Sequence, residues 1–168
     1  MRNPSRVKAR HVAAAMLAAS LGPAVQSASA QDFSFTLRAG LACDFKLKID
    51  GYGGNFHTEE FLDRNNNAVR TIAAGKGFGL VFTNAESGAR FALKGDGSVQ
   101  RATINPDGSS TNVSTGPNVV ILVPSDVPAG PSTTLYVGRL VSAVDALGIF
   151  TLQSATGSST DICAALSA

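Results

Sequence analysis

Hydrophobic and polar positions alternate with a period of two along most of this chain, and that period belongs to half-buried strands. The clearest case is Cys43, Phe45, Leu47 and Ile49, set between Asp44, Lys46, Lys48 and Asp50. It predicts one dry and one wet face, as in an antiparallel sheet. From Lys76 to Thr115 the alternation recurs in short pieces. Phe78, Leu80 and Phe82 form one and Ala89, Phe91 and Leu93 another, with a reversal at Asn84 to Gly88 between them. Gly95-Asp96-Gly97 and Asn105-Pro106-Asp107-Gly108 predict the next reversals, because glycine reaches positive φ without strain and proline presets a turn's first dihedral.

The remaining stretches carry the same signals. Phe33, Phe35 and Leu37 predict an edge strand or an ordered arm within Gln31 to Gly40, and Gly51-Tyr52-Gly53-Gly54 a flexible connection. His57 to Asp63 and Ala68 to Ala73 predict a hairpin around Arg64 to Asn67, where asparagine tolerates positive φ. Thr111, Val113 and Thr115 continue the pattern, Gly116-Pro117-Asn118 predicts a turn, and the unbroken apolar run Val119 to Val123 predicts a strand covered on both faces. Pro124, Pro128, Gly130 and Pro131 mark the longest irregular loop. Leu135 to Val144 predicts a long strand with a bulge or bend at Gly138. Asp145 to Gly148 turns back into Ile149 to Gln153, and Thr160 to Leu166 suits a single helical turn. This amounts to roughly nine or ten strands without βαβ alternation. The expected fold is all-β, an antiparallel meander closing as a barrel, with a two-sheet sandwich as the alternative.

The N-terminus changes the compartment. Arg2, Arg6, Lys8 and Arg10 precede an apolar run from Val12 to Leu21, and Ala28-Ser29-Ala30 offers small residues for cleavage. Residues 1–30 read as a signal peptide and 31–168 as a single secreted β-domain. The run is about half of the roughly 20 residues that a spanning helix needs, so no stable membrane insertion is expected. Leu41-Ala42-Cys43 has the residues of a lipid-attachment site, but the polar segment Gln31 to Gly40 precedes it in place of an apolar core. With the leader removed, 10 basic residues face 12 acidic ones, against 14 and 12 in the whole chain. The basic balance therefore belongs to the leader, and no Lys/Arg cluster with interleaved aromatics marks a nucleic-acid footprint. Cys43 and Cys163 are the two cysteines, and in an oxidising compartment they are expected to pair.

Several segments are similar to a group of small exported actinobacterial β-proteins. The residues that carry the resemblance are Phe61 to Arg70, Thr83-Asn84-Ala85-Glu86-Ser87-Gly88, Asn105-Pro106-Asp107-Gly108, Tyr136-Val137-Gly138-Arg139 and Thr160 to Leu166. These are mostly turn chemistry, so the resemblance implies a topology and no reaction. Asn66 stands where glycine is expected, which bears only on the turn type.

Candidate chemistry is sparse. His57 is the one histidine after the leader, and on a strand it shares a face with Glu59. The pair has the spacing for proton relay or the start of a metal site, yet a zinc site takes three or four protein ligands. Neither a metal nor a cofactor is expected. Asp63 to Asn67 copies the opening of a calcium loop, but Ala68 and Ala74 occupy the positions of its glycine and its closing glutamate. Gly75-Lys76-Gly77-Phe78-Gly79 imitates a phosphate loop without a following helix. Asn112-Val113-Ser114 is formally a glycosylation sequon. Two function classes remain. One is a non-catalytic domain at the cell exterior that holds a small apolar ligand or meets an extracellular protein. The other is a small-barrel enzyme, such as a cyclase or isomerase, with Tyr52, Tyr136, Arg139, His57 or Glu59 converging in one cavity.

Overall fold

The computed structural model describes residues 32–168; the signal-peptide reading of residues 1–30 lies outside them. Ten strands and one short helix follow in order: β1 Phe33–Leu37, β2 Leu47–Tyr52, β3 Asn55–Leu62, β4 Ala68–Lys76, β5 Gly79–Asn84, β6 Arg90–Leu93, β7 Gly97–Ile104, β8 Ser110–Leu122, β9 Ser132–Val144, β10 Phe150–Asp161 and α1 Ile162–Ser167. They form two open antiparallel sheets. One has four strands in the order β1-β2-β5-β6, and the other six in the order β10-β9-β8-β7-β4-β3. The expected barrel is not closed, and the connectivity is not a plain meander. The hairpin β3–β4 joins the larger sheet while β5–β6 returns to the smaller one, so the chain crosses between sheets after β2, β4 and β6. Sequential alternation fixes which residues pair locally but not which sheet a hairpin joins.

Several element boundaries also differ from the sequence reading, among them the end of β10, which runs past Gln153 to Asp161. Residues 38–46 are turns and bends, although Cys43 and Phe45 are buried as an inward face requires. Gly116-Pro117-Asn118 does not reverse the chain, and β8 runs through it. Gly116 lies opposite Gly138, and Gly138 opposite Gly157. All three have positive φ, at 93°, 151° and 104°. A side-chain carbon on Gly138 would overlap the Thr156 carbonyl, and one on Gly157 the Val137 carbonyl. This row of glycines is a crease across three strands.

The crease folds the larger sheet over. Phe150 pairs with Val144, which pairs with Ser110, whereas Leu122 pairs with Ser132 at the far end. Laid flat, the 12 residue steps from Ser110 to Leu122 span about 40 Å. Val127 nevertheless bridges Thr151, donating from its N–H to the Phe150 carbonyl at 2.9 Å and accepting from Leu152 at 2.7 Å. Only four residue steps separate Val123 from Val127, at most about 14 Å. The two ends of the strands are therefore brought close together, and β8 and β9 turn a corner in the way that lets one strand serve two layers.

The main core lies between the smaller sheet, the 38–46 segment, α1 and the strand halves beyond the crease. Ala42, Cys43, Phe45, Leu47, Ile49, Phe82, Ile162 and Leu166 form its buried centre, with Val119, Ile121 and Leu135 packed against it. Cys43 and Cys163 meet at disulfide distance with Cα atoms 5.6 Å apart. Asp161 caps α1 by accepting from the Ala164 N–H at 3.0 Å. The buried Asn84 side chain donates to the Leu166 carbonyl at 3.2 Å and accepts from the Glu86 N–H at 2.9 Å, tying the end of α1 to β5.

Candidate functional site: an inter-sheet groove

A groove of about 430 Å³ lies where the smaller sheet faces the folded one. Phe33, Leu80 and Leu93 come from the smaller sheet, Phe78 from the residue before β5, and Phe56, Val119, Leu135 and Val137 from the larger one. Its polar wall is Ser98, Gln100 and Asn118, with Lys94 and Asp96 also lining it. The volume falls in the range of small-molecule sites.

Glycines set the aromatic wall in place. Phe33 lies opposite Gly51 across β1 and β2, and its ring occupies the space that a side chain on Gly51 would fill. The Phe78 ring covers Gly54 in the same way. Phe33 and Phe78 then meet edge to face, with centroids 5.1 Å apart, and Phe35 stacks on Phe33 at 5.9 Å. Phe33 also packs against the core, whereas Phe56, Phe78 and Val137 are 38–43% exposed, so the groove opens through an apolar rim.

A smaller cavity of about 210 Å³ adjoins the groove, sharing Gln100, Asn118 and Val119. Asn112, Ser114, Val120, Leu140, Ser142, Phe150 and Leu152 complete its lining. Residues from both sides of the Gly116 crease meet here, so this space exists because the sheet folds over. Gln100 Nε2 donates to Asn118 Oδ1 at 3.5 Å, and Asn118 Nδ2 donates to the Gly116 carbonyl at 2.9 Å.

The candidates named from sequence lie elsewhere. Tyr52, His57, Glu59, Tyr136 and Arg139 line neither cavity. His57 and Glu59 are exposed on β3, an outer strand of the larger sheet. Among the described residues no three or more His, Cys, Asp or Glu side chains are grouped to hold a metal ion. The calcium-like segment is the β3–β4 hairpin turn. The Asp63 carboxylate accepts from the N–H groups of Asn65 at 2.7 Å and Asn67 at 2.9 Å, and Asn66 takes φ 66°. Those bonds, the Asn67 N–H foremost, hold the Asp63 carboxyl below its ordinary value. Lys76 to Gly79 crosses from the larger sheet to the smaller without a helix.

One ionisable residue departs from the alternation. Asp50, assigned by period to the wet face, is only 4% exposed. Its carboxylate accepts from Ser34 Oγ at 2.6 Å and from Lys48 Nζ at 3.0 Å. The Ser34 bond first, then Lys48 and the charge of Arg90, hold its carboxyl below the ordinary value against the opposing effect of burial. This ion pair lies on the smaller sheet with its lysine half-exposed, away from both cavities. No helix among the described residues is long and apolar enough to cross a membrane. Comparison with protein-family models, curated proteins and solved structures returned no match.

Proposed function

We propose that the protein is a non-catalytic binding domain that works outside the cell and holds a small apolar ligand in the groove between its sheets. The observation that carries this reading is the aromatic wall. Phe56 and Phe78, beside the half-buried Phe33, face an open groove of about 430 Å³ where two exposed large apolar side chains have no need to stand unless something covers them. The groove is held by the sheet framework and by rings seated on Gly51 and Gly54, so it is preformed and little ordering opposes binding. The leader and the paired cysteines support export. The enzyme alternative called for ionisable side chains converging in one cavity, and the arrangement lends it no support.

The test is Val137→Trp. Val137 is 43% exposed on the groove wall, so an indole there fills the groove without entering the core. A neutral fluorescent probe, N-phenyl-1-naphthylamine, is expected to brighten on the mature domain and to bind the variant at least about tenfold more weakly. Equal binding by both proteins overturns the assignment of the groove. Native mass spectrometry of protein purified from its own host's culture fluid then reads the natural ligand as an added mass released by organic solvent.

A further inference from the structure

Resting on that reading of the groove, we infer that the ligand is a neutral amphiphile, with an apolar body against the phenylalanines and an uncharged hydroxyl, amide or ether end in the adjoining cavity. The two spaces share Gln100, Asn118 and Val119, so a ligand longer than the groove passes the Gln100–Asn118 pair to reach the smaller cavity. The chemistry changes along that path. Phe33, Phe56 and Phe78 line the first space, and the amides and hydroxyls of Gln100, Asn112, Ser114, Asn118 and Ser142 share the second with apolar side chains such as Val120, Leu140 and Phe150.

The second space has hydrogen-bonding groups of both senses and no ionisable side chain in its lining. An ionised carboxylate or ammonium entering it gives up part of its water without meeting a counter-charge, a cost that amide and hydroxyl bonds only partly offset. A neutral hydroxyl or amide exchanges water for Gln100, Asn112 or Ser114 at little net cost. The two charged residues of the groove, Lys94 and Asp96, are opposite in sign and exposed. They lie outside the shared wall and favour neither an anion nor a cation deep in the site.

Three ligands with the same dodecyl chain separate the possibilities by displacement of N-phenyl-1-naphthylamine at about pH 7.5, where the acid and the amine are both charged. 1-Dodecanol is expected to displace the probe at a concentration at least about tenfold below dodecanoate or dodecylamine. Asn112→Asp, close to isosteric, places a carboxylate in the inner cavity, and Gln100→Glu does so at an exposed strand position that folding tolerates. Each variant is expected to strengthen dodecylamine by about tenfold and to weaken dodecanoate further. Dodecanoate or dodecylamine binding as tightly as the alcohol overturns the neutral-ligand inference while leaving the groove in place. So does dodecylamine affinity that is unchanged in both variants. Displacement that is indifferent to Val137→Trp overturns the inference and the groove reading together.

Discussion

Asp50 shows how far one residue can stand from its place in a pattern. Its neighbours in the alternation face solvent, yet its carboxylate is enclosed by Ser34 and Lys48. Because its folded pKa lies below the ordinary 3.8, the unfolded chain binds the proton more readily. The stability from this group is therefore fully present above that value and is lost as pH falls through the folded pKa. Asp50→Asn is expected to lower the melting temperature at neutral pH, and the gap to wild type should close as pH drops below about 4. A gap that persists unchanged into acid shows that the ionised carboxylate is not the source. A second residue-scale test contrasts two glycines. Gly138→Ala forces a side chain into the Thr156 carbonyl at a φ of 151°, whereas Gly148, at φ 84°, faces open space. Urea unfolding should show a loss of about 3 kcal/mol or more for the first and about 1 kcal/mol for the second.

At the scale of elements, the helix is a clasp. α1 is only six residues long, too short to hold itself together. Ile162 and Leu166 enter the core, Asn84 engages its last turn, and Cys163 joins it to Cys43 across 120 residues of sequence. Replacing both cysteines by serine should lower the unfolding free energy by roughly 4 to 5 kcal/mol, from the loop that is no longer closed. Denaturant titration of the double variant checks this. A change below about 1 kcal/mol assigns the clasp to Ile162 and Leu166 instead.

Across the whole molecule, burial is uneven. β2 is enclosed along most of its length, while β3 and the far part of β10 are exposed on both faces. Opening free energies follow buried apolar contacts. Amide hydrogen exchange should therefore be slowest in β2 and β5, and faster in β3 by at least about tenfold. Uniform protection across both sheets contradicts that division. The groove lies at such an exposed margin, where Phe56, Phe78 and Val137 are open to solvent.

The alternation of Phe78 to Leu93 and of Leu135 to Val144, and the turn chemistry at Asp63, Asn84, Asn105 and Asp145, determined most strands and the four hairpin reversals at those turns. These are local choices, since period two and positive-φ residues act within a few positions of the chain. Gly138 was legible as a bend, but its alignment with Gly116 and Gly157 was not, because register is a relation between strands. Gly116-Pro117-Asn118 therefore read as a reversal when it is a corner within β8. The groove was likewise invisible: Phe33 and Val137 are 104 positions apart, and a run of alternating residues does not say which sheet its hairpin will join. Sequence alone determined the strands, the turns and the pairing expected of Cys43 with Cys163. Only tertiary structure decided the two open sheets, the fold of the larger one and the groove, because each depends on which distant surfaces meet once the backbone hydrogen bonds are made.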